Sequence, residues 1–389
     1  MKKGFFFLLL LPFISFSQSK TILGTIKDFT TSLPIESVSI SVENSNIGTI
    51  SNEDGKFRLS LSEGSLVLKF NHLNYKSDTY ILKKNENEIE IFLEPKAYTL
   101  DEVIIRKEPI NKTLSAVVKN SKDKLEKSLL LNTYYREFIK VDDRYTNFSD
   151  GMLDYYIKRQ SGASDLYVNQ SRAYKLNDAT TVERQKTAEA IYFYDVRDAI
   201  SDAYNFKKLK HILESKYYDY DVVTKTDTQE NKIEVVTITP KSEIEVGLYC
   251  GTVTYDVKSK LILEIDIKKS PEHKQFIPEV NALFFHFKVN EECRKASFKI
   301  DGDKYVLVYN QNKINIYIKM NDRIDNTYEF LSDLVTIDYK EGEFDLDRSR
   351  RYKQKSLFAS GNNFKEEYWK TKNIILLSDD EEKLISELK

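Results

Sequence analysis

Two neighbouring stretches near the start of the chain carry its clearest structural pattern, Pro34–Ile40 (PIESVSI) and Ile47–Phe57 (IGTISNEDGKF). Apolar and polar residues alternate within them, and turn-forming residues separate the alternating runs. Alternation with a period of two predicts short strands that bury one face. Asp54-Gly55 is a strong turn signal, because glycine accepts a positive φ without steric cost. The stretches therefore predict strand, turn, strand, turn and strand.

The same alternation continues on both sides of these stretches. The apolar positions are Val38, Ile40 and Val42; Phe57, Leu59 and Leu61; Leu66, Leu68 and Phe70; and Ile89, Ile91 and Leu93. About seven short strands over residues 18–106 predict a small sandwich of the immunoglobulin or transthyretin-like type. The chain as a whole is expected to be mainly β with minor α, because residues that favour strands are abundant throughout it.

This region resembles the carboxypeptidase-regulatory-like (CarboxypepD_reg-like) domain. Gly24-Thr25-Ile26 opens it, and Pro34–Val38 is close to the family's Pro-Leu-x-Gly-Ala/Val stretch. Gly48-Thr49 with Asn52–Phe57 is similar to the family's Gly-Thr…Thr-Asp-x-x-Gly-x-Phe stretch, and His72–Tyr75 stands where the family often has Gly-Tyr. The resemblance implies a binding fold without catalytic residues, which usually accompanies other machinery at a bacterial cell surface.

The first residues have the pattern of a secretory signal peptide. Lys2 and Lys3 precede the apolar run Phe5–Phe16, and small residues around Ser17 suit cleavage. The run is shorter than the roughly 20 residues that span a bilayer, and an uncleaved anchor is the alternative. We expect a signal peptide at residues 1–17 and an exported protein of the periplasm or outer membrane, in a Bacteroidetes-type bacterium.

Composition narrows the possible function classes. The 389 residues are 41% hydrophobic and 31% charged, which is typical of a globular protein. Removing Lys2 and Lys3 with the signal peptide changes the net charge from −2 to −4 (−2 − 2), so nucleic acid is an improbable partner. After the signal peptide, no apolar run is long enough to predict a membrane-spanning helix.

The stretch Tyr98–Ile105 (YTLDEVII) resembles a segment that follows the same module in TonB-dependent outer-membrane transporters of Bacteroidetes. In those transporters the segment leads into a plug and barrel and can pair with TonB as an added strand. The remaining length is too short for a barrel of that class. The favoured interpretation is a last strand or exit linker of the sandwich. The alternative is a partner-binding strand formed by Leu100, Asp101, Glu102, Val103, Ile104 and Ile105.

The second part of the chain is predicted to be a helical linker followed by a β-rich domain. Apolar residues within Asn111–Leu131 recur at spacings of three and four, so the linker is placed at 107–131 and the domain at 132–389. A second helical stretch is predicted over Ala188–Leu213, and an antiparallel hairpin over Gly251–Ile267. Further strands are predicted at 231–239, 279–289, 295–300, 303–309, 313–319 and 333–340. Ser378 is a candidate N-cap of a terminal helix.

This order of elements predicts a large antiparallel sheet with one or two helices, for which a half-barrel is one form. The sequence from Tyr134 to Tyr156 looks like the start of an uncharacterised domain that often follows the sandwich in Bacteroidetes envelope proteins. The hairpin resembles those of periplasmic lipoprotein-carrier folds. A half-barrel of that kind would hold a lipid or another apolar ligand on its concave face.

Residues with the patterns of known catalytic or metal sites are scarce, and we predict no catalytic residue, cofactor or metal site. His211 and Glu214 match a short His-x-x-Glu pattern of zinc carboxypeptidases, with His273 or His286 as the remaining candidates for a third ligand. A histidine on a helix surface is the simpler interpretation. The pair His211 and Glu214 is therefore kept as a weak metal candidate.

The two cysteines are Cys250 and Cys293. In an exported protein they can form a disulfide, and two separate buried thiols are the equally weighted alternative. The sequence does not decide between them, because a bridge needs Cα atoms within about 4.4–6.8 Å.

These observations favour a non-enzymatic binding or assembly protein of the cell envelope, with the sandwich as its docking module. The expected partner is an envelope protein. The first alternative is a periplasmic carrier of a lipid or another apolar ligand in a half-barrel. The second is a zinc-dependent hydrolase based on His211 and Glu214.

Overall fold

The computed structural model describes residues 20–61, 67–100, 108–125, 128–158, 163–175, 194–228, 230–282, 285–320, 324–370 and 372–387. These residues form a small β-sandwich and a larger domain built on one open antiparallel sheet. Within these ranges, each helix is too short or too polar to cross a membrane.

The sandwich has seven strands in two sheets, as predicted. They are β1 (Lys20–Asp28), β2 (Ser39–Val42), β3 (Gly48–Ile50), β4 (Lys56–Leu61), β5 (Val67–His72), β6 (Tyr75–Ile81) and β7 (Glu88–Leu93). One sheet has the order β4-β1-β7 and the other β3-β2-β5-β6. The sandwich is not purely antiparallel, because β1 and β7 run parallel to each other.

The predicted alternation sets the core of the sandwich. Ile40 on β2 and Phe70 on β5 are cross-strand partners, and both are fully buried. Phe57 of the opposite sheet contacts Phe70 edge to face, with ring centroids 5.9 Å apart. Their neighbours Ser39 and Asn71 point away from this core, so the outer face of the β3-β2-β5-β6 sheet is polar.

The turn between β3 and β4 is built by the side chain of Asn52. Its Oδ1 atom accepts hydrogen bonds from the backbone N of Asp54 at 3.1 Å and of Lys56 at 2.8 Å. Gly55 follows with φ +69°, and a Cβ atom there would lie 2.4 Å from the carbonyl oxygen of Ile26. The turn therefore needs both the amide side chain and the glycine.

The second domain contains the remaining strands. They are β8 (Thr99–Leu100), β9 (Leu129–Val141), β10 (Arg144–Ile157), β11 (Ser164–Lys175), β12 (Tyr218–Thr226), β13 (Lys232–Pro240), β14 (Tyr249–Asp256), β15 (Leu261–Lys269), β16 (Val280–Ala282), β17 (Phe285–Asp301), β18 (Lys304–Met320) and β19 (Ile324–Glu341). The described helices are α1 (Ile110–Lys124), α2 (Asp198–Asn205), α3 (Lys207–Glu214), α4 (Glu366–Lys370) and α5 (Asp379–Glu387).

The large sheet joins two meanders. Its order is β11-β10-β9-β19-β18-β17-β15-β14-β13-β12-β8, with β16 paired to β17 beside this path. Hairpins connect β9, β10 and β11 in one meander, and β12 to β19 form the other. The β9–β19 pair joins them. The sheet is not closed into a barrel.

Helices α1, α2 and α3 cover one face of the large sheet. Leu114 and Val117 of α1 and Ile200 of α2 are fully buried in this core. It also contains sheet residues such as Tyr155 and Val253. We call this the helix face.

The helices differ from the prediction in their bounds. The linker helix ends at Lys124 rather than Leu131, because Leu129–Leu131 already belongs to β9. The predicted stretch Ala188–Leu213 contains two helices instead of one, and they meet at Phe206, whose φ is +49°. Residues 188–193 of that prediction lie outside the described residues.

Most of the predicted strands are present, and several are longer than expected. The single strand predicted at 279–289 is wrong, because β16 and the start of β17 are two strands that pair antiparallel, with residues 283–284 outside the described residues. The separate strands predicted at 303–309 and 313–319 are both part of β18. The hairpin over Gly251–Ile267 is formed by β14 and β15. The separate strands expected at 295–300 and 303–309 are the two arms of the long β17–β18 hairpin. Register shifts within this hairpin, including one between Ser297 and Phe298, break the apolar alternation from which strand ends are read.

The C-terminal segment packs on the opposite face of the sheet, together with the sandwich. Trp369 and Ile375 join Tyr134 of β9 and Ile50 of the sandwich in one apolar cluster. The predicted cap at Ser378 is confirmed. Its Oγ accepts from Glu381 N at 3.3 Å, and its own N donates to Glu381 Oε2 at 2.9 Å. We call this side the sandwich face.

Candidate functional site

A cavity with a volume of about 790 Å³ lies between the two domains. One wall is the polar outer face of the sandwich, with Ser39 and Ser41 on β2 and Lys69 and Asn71 on β5. This wall follows directly from the alternation, since Ile40 and Phe70 between these residues point into the core. We call the cavity the interdomain cleft.

The other wall belongs to the sandwich face of the large sheet. Glu264 and Asp266 on β15 are the direct cross-strand partners of Ser297 and Lys295 on β17. Tyr309 of β18 pairs with Ser297 and continues the wall. Two sheet faces that carry mostly polar side chains therefore oppose each other across the cleft.

Charges of both signs line the cleft in equal number. The carboxylates are those of Glu36, Glu43, Glu264, Asp266 and Asp301, and the ammonium groups are those of Lys69, Lys96, Lys295, Lys299 and Lys304. Two pairs are already formed, Lys69–Glu43 at 3.1 Å and Lys295–Asp266 at 3.8 Å. Lys299 and Lys304 lie over the ring of Tyr339, 5.5 and 5.3 Å from its centroid.

Burial perturbs several titratable groups of the cleft. It raises the pKa of Glu264, to which the nearby Asp266 adds. It lowers the pKa of the Lys299 ammonium and that of Lys96. It also lowers the pKa of His72 to about 4, with a smaller contribution from Lys96. All of these pKa shifts have the same main cause, which is partial removal of the group from water. Charged and polar atoms of a ligand would therefore bind here in a medium less polar than water.

A row of polar residues runs from the cleft across the sandwich face into the protein. Each member is the direct cross-strand partner of the next one. In order they are Asp266, Lys295, Gln311, Asp333, Arg136, Asp150 and Arg172. Charges of opposite sign alternate along most of this row, which stabilises neighbouring strands in register.

Arg136 is a buried member of this row, between Asp333 and Asp150. Its Nε donates to Asp333 Oδ2 at 2.8 Å and its Nη1 to Glu381 Oε2 of α5 at 2.8 Å. Burial alone would lower the pKa of the guanidinium, but Asp333 and Glu381 outweigh it and raise that pKa. Tyr309 of the cleft wall donates to Asp333 Oδ1 at 2.6 Å. The row therefore connects the cleft wall to the C-terminal helix.

The sandwich matches a known domain family. Residues 22–105 match the family model described as the CarboxypepD_reg-like domain. The sandwich is a CarboxypepD_reg-like domain. This match confirms the resemblance seen in the sequence, and no family match characterises the second domain. No curated protein matches the chain.

Two solved structures overlap with part of the chain. A LolA-superfamily protein from Nitrosomonas europaea is 10% identical, and the alignment covers 62% of this chain and 97% of that one with a TM-score of 0.21. Lipovitellin is 8% identical over 61% of this chain and 27% of its own length, with a TM-score of 0.25. Overlaps with such low TM-scores assign no function.

The predicted metal candidates do not converge in the structure. His211 and Glu214 lie on the exposed side of α3. His273 is buried between Ser270 and the carbonyl oxygen of Lys241, and His286 is exposed on β17. Among the described residues, no group of three or more His, Cys, Asp or Glu side chains has a metal-binding arrangement.

The segment considered as a partner-binding strand begins in an unexpected place. Leu100 and Thr99 form β8, which pairs with Lys225 and Thr226 of β12. The described start of the segment therefore pairs with the end strand of the large sheet and not with a strand of the sandwich. Asp101, Glu102, Val103, Ile104 and Ile105 lie outside the described residues.

Cys250 and Cys293 are both free thiols. They point to the same face, but Lys268 of β15 lies between them as the direct partner of each. Residues two strands apart are separated by about 9–10 Å, which exceeds the Cα distance of a disulfide. A bridge between these two residues is therefore incompatible with the sheet. Burial also raises the pKa of each thiol.

Sequence reasoning missed the cleft itself. The residues that alternate with the core positions are polar: Ser39, Ser41, Lys69 and Asn71. In an isolated sandwich, such polar residues are simply exposed to solvent. The sequence signal that distinguishes a cleft wall from a solvent face is weak, because both are polar. The opposite wall is formed by strands more than 190 residues further along the chain, which no local pattern reveals.

Proposed function

We propose that this protein is a non-enzymatic binding or assembly protein of the cell envelope, exported by its N-terminal signal. Its binding site is the interdomain cleft, and the CarboxypepD_reg-like domain forms one wall of that site. The ligand is a polar polypeptide segment of an envelope partner that carries charges of both signs.

The observation that carries this proposal is the chemistry of the cleft. A volume of about 790 Å³ is within the roughly 300–1,000 Å³ typical of ligand sites, which often lie between domains. Carboxylate, ammonium and hydroxyl groups are present on both of its walls, and side-chain amides on the sandwich wall. Such groups recognise backbone amides and charged side chains, and burial of Glu264 and Lys299 strengthens each electrostatic contact made there.

The helix face gives less support to a carrier of an apolar ligand. Its core is filled by side chains from α1, α2 and α3, and two cavities on this face measure only about 40 and 20 Å³. A lipid chain needs several hundred Å³. A carrier function would require these helices to move away from the sheet.

The proposal can be tested by photo-crosslinking in the native host. A photoreactive phenylalanine analogue replaces Ser41 in the cleft or, as a matched control, Thr25 on the outer face of the other sheet. The expected result is a defined partner adduct from position 41 that disappears when Ser39→Trp fills the cleft. Equal adducts from both positions, or none from position 41, would refute the proposal.

Native mass spectrometry of the protein purified from its own envelope distinguishes the alternatives. A retained lipid mass would favour the carrier function. A retained zinc ion that is lost in His211→Ala would favour the hydrolase. If either mass is retained and position 41 gives no crosslinked partner, the corresponding alternative replaces the proposed function.

A further inference from the structure

A short C-terminal segment lies along the CarboxypepD_reg-like domain where its two sheets meet. This segment, Asn373–Asp379 (NIILLSD), runs beside the outer edges of β3 and β4. Ile374 forms an antiparallel bridge with Arg58 of β4. We call this segment the strap and the line between the edges of β3 and β4 the seam.

Asn373 joins the two sheets of the sandwich across the seam. Its Oδ1 accepts a hydrogen bond from Ser60 N of β4 at 2.6 Å, and its Nδ2 donates to Gly48 O of β3 at 3.3 Å. Thr49 Oγ1 donates to Ile374 O at 3.5 Å. The strap thus satisfies backbone groups of two edge strands that would otherwise lack a strand neighbour.

The turn that carries the family's sequence pattern holds the other half of the strap. Nδ2 of Asn52 donates to Leu376 O at 3.3 Å and to Leu377 O at 3.2 Å, while its Oδ1 shapes the turn. Asp54 Oδ2 accepts from Asp379 N at 3.0 Å, and Lys56 Nζ lies 2.6 Å from Asp379 Oδ1.

These contacts are of the kind that recognises extended peptides. The side chains of Thr49, Asn52 and Asp54 form hydrogen bonds with the backbone of the strap. The strap side chains Asn373 and Asp379 add one contact near each end. Backbone bonds at a sheet edge supply affinity, and the side-chain contacts supply selectivity. On the opposite side, Ile375 is 2% exposed and packs with Trp369 and Tyr134 of the second domain.

We propose that the seam is a peptide-binding site of the CarboxypepD_reg-like domain, and that the strap occupies it as a ligand supplied by the same chain. The seam recognises two features of the strap. The side chain of Asn373 bridges β3 and β4, and the carbonyl groups three and four residues later accept hydrogen bonds from Asn52. A separate polypeptide with the strap sequence binds the same seam when the strap is weakened. The site is distinct from the interdomain cleft.

A ligand that belongs to the same chain prevents free peptides from occupying such a site. The strap is held at an effective concentration in the millimolar range, so a free peptide at micromolar concentration competes poorly with it. Asn373→Ala removes the bridging contacts of the strap and leaves the seam intact. Loss of a buried hydrogen bond of this type weakens the strap about tenfold, and the apparent affinity for a free peptide rises by the same factor.

The test uses the full chain and a fluorescent peptide of residues 372–380 (KNIILLSDD). Fluorescence anisotropy should show about tenfold tighter binding to Asn373→Ala than to wild type. Asp380→Asn, a change at an exposed neighbouring acid, should bind like wild type. Adding Asn52→Ala to the Asn373→Ala chain should abolish the gain, as should a peptide in which Asn373 is replaced by Ala.

Hydrogen exchange provides the second readout. In Asn373→Ala, the amides of the strap and of Gly48–Ser60 should exchange faster, and those of β9 should not change. Unchanged exchange in the strap, or no gain in peptide binding, would show that the strap is a fixed part of the second domain and would overturn the proposal.

Discussion

Nε of Arg136 donates to Oδ2 of Asp333 at 2.8 Å, although 197 positions separate the two residues in the chain. They are direct cross-strand partners in β9 and β19, the pair that joins the two meanders. Asp333 is 1% exposed and also accepts from Tyr309 and Gln311. An ion pair therefore lies where the two halves of the large sheet meet.

Replacing Arg136 with Met should strongly destabilise the protein. The change leaves the buried carboxylate of Asp333 and the partly buried carboxylate of Glu381 without their cation, and breaking a buried pair costs about 3–5 kcal/mol. Urea unfolding would measure the loss. Arg144→Met, at an exposed position of the β9–β10 hairpin, should cost less than about 0.5 kcal/mol. Equal losses for the two variants would show that the ion pair has no special role.

His72 should make the protein less stable in mild acid. Its pKa in the folded state is about 4, below the ordinary 6.5, so the folded protein binds fewer protons than the unfolded chain between these values. This contribution to stability is present above pH 6.5 and is lost as the pH falls towards 4. In urea unfolding, His72→Gln should lose less stability than wild type between pH 7 and 4.5. A wild-type slope in His72→Gln would contradict the assignment.

The two thiols should remain unpaired and react slowly. Lys268 separates Cys250 from Cys293, and burial raises the pKa of both, which reduces the reactive thiolate. Intact mass after iodoacetamide should show little labelling of the native protein and two labels after unfolding without a reductant. A mass consistent with an intramolecular disulfide would contradict the separation of their strands.

The turn at Gly55 should not tolerate a side chain. Gly55→Ala puts a Cβ atom 2.4 Å from Ile26 O at φ +69°, so it should cost well over the 1 kcal/mol typical of strain alone. Gly302→Ala is the matched control, because Gly302 has φ +62° and open space around it. Thermal unfolding should show a clearly larger loss for Gly55→Ala. Similar losses would show that the backbone at Gly55 relaxes.

Much of the fold is readable from local sequence patterns. The alternation around Ile40 and Phe70, the turn at Gly55 and the cap at Ser378 all act within a few residues, and each prediction based on them is confirmed. The predicted end of α1 was wrong because Leu129 continues the helical spacing although it already belongs to β9. The predicted bounds of β17 were wrong because a register shift near Ser297 interrupts the alternation.

The candidate site was not predictable in the same way. The cleft depends on how the sandwich sits against β15 and β17, which is set by contacts such as Asn46 Nδ2 to Tyr339 O at 2.9 Å. Such contacts join residues that are far apart in the chain and ordinary in type. The resemblance of the first domain to its family identified that domain correctly and gave no information about what lies opposite it.

The position of β9 beside β19 has a consequence for how the chain acquires its structure. The first meander can form early, but its edge stays open until residue 341 has been synthesised, since only β19 covers it. Contacts between such distant strands slow folding, and an open edge invites association with other chains. A chain that ends before β19 should therefore aggregate rather than persist as a smaller working protein.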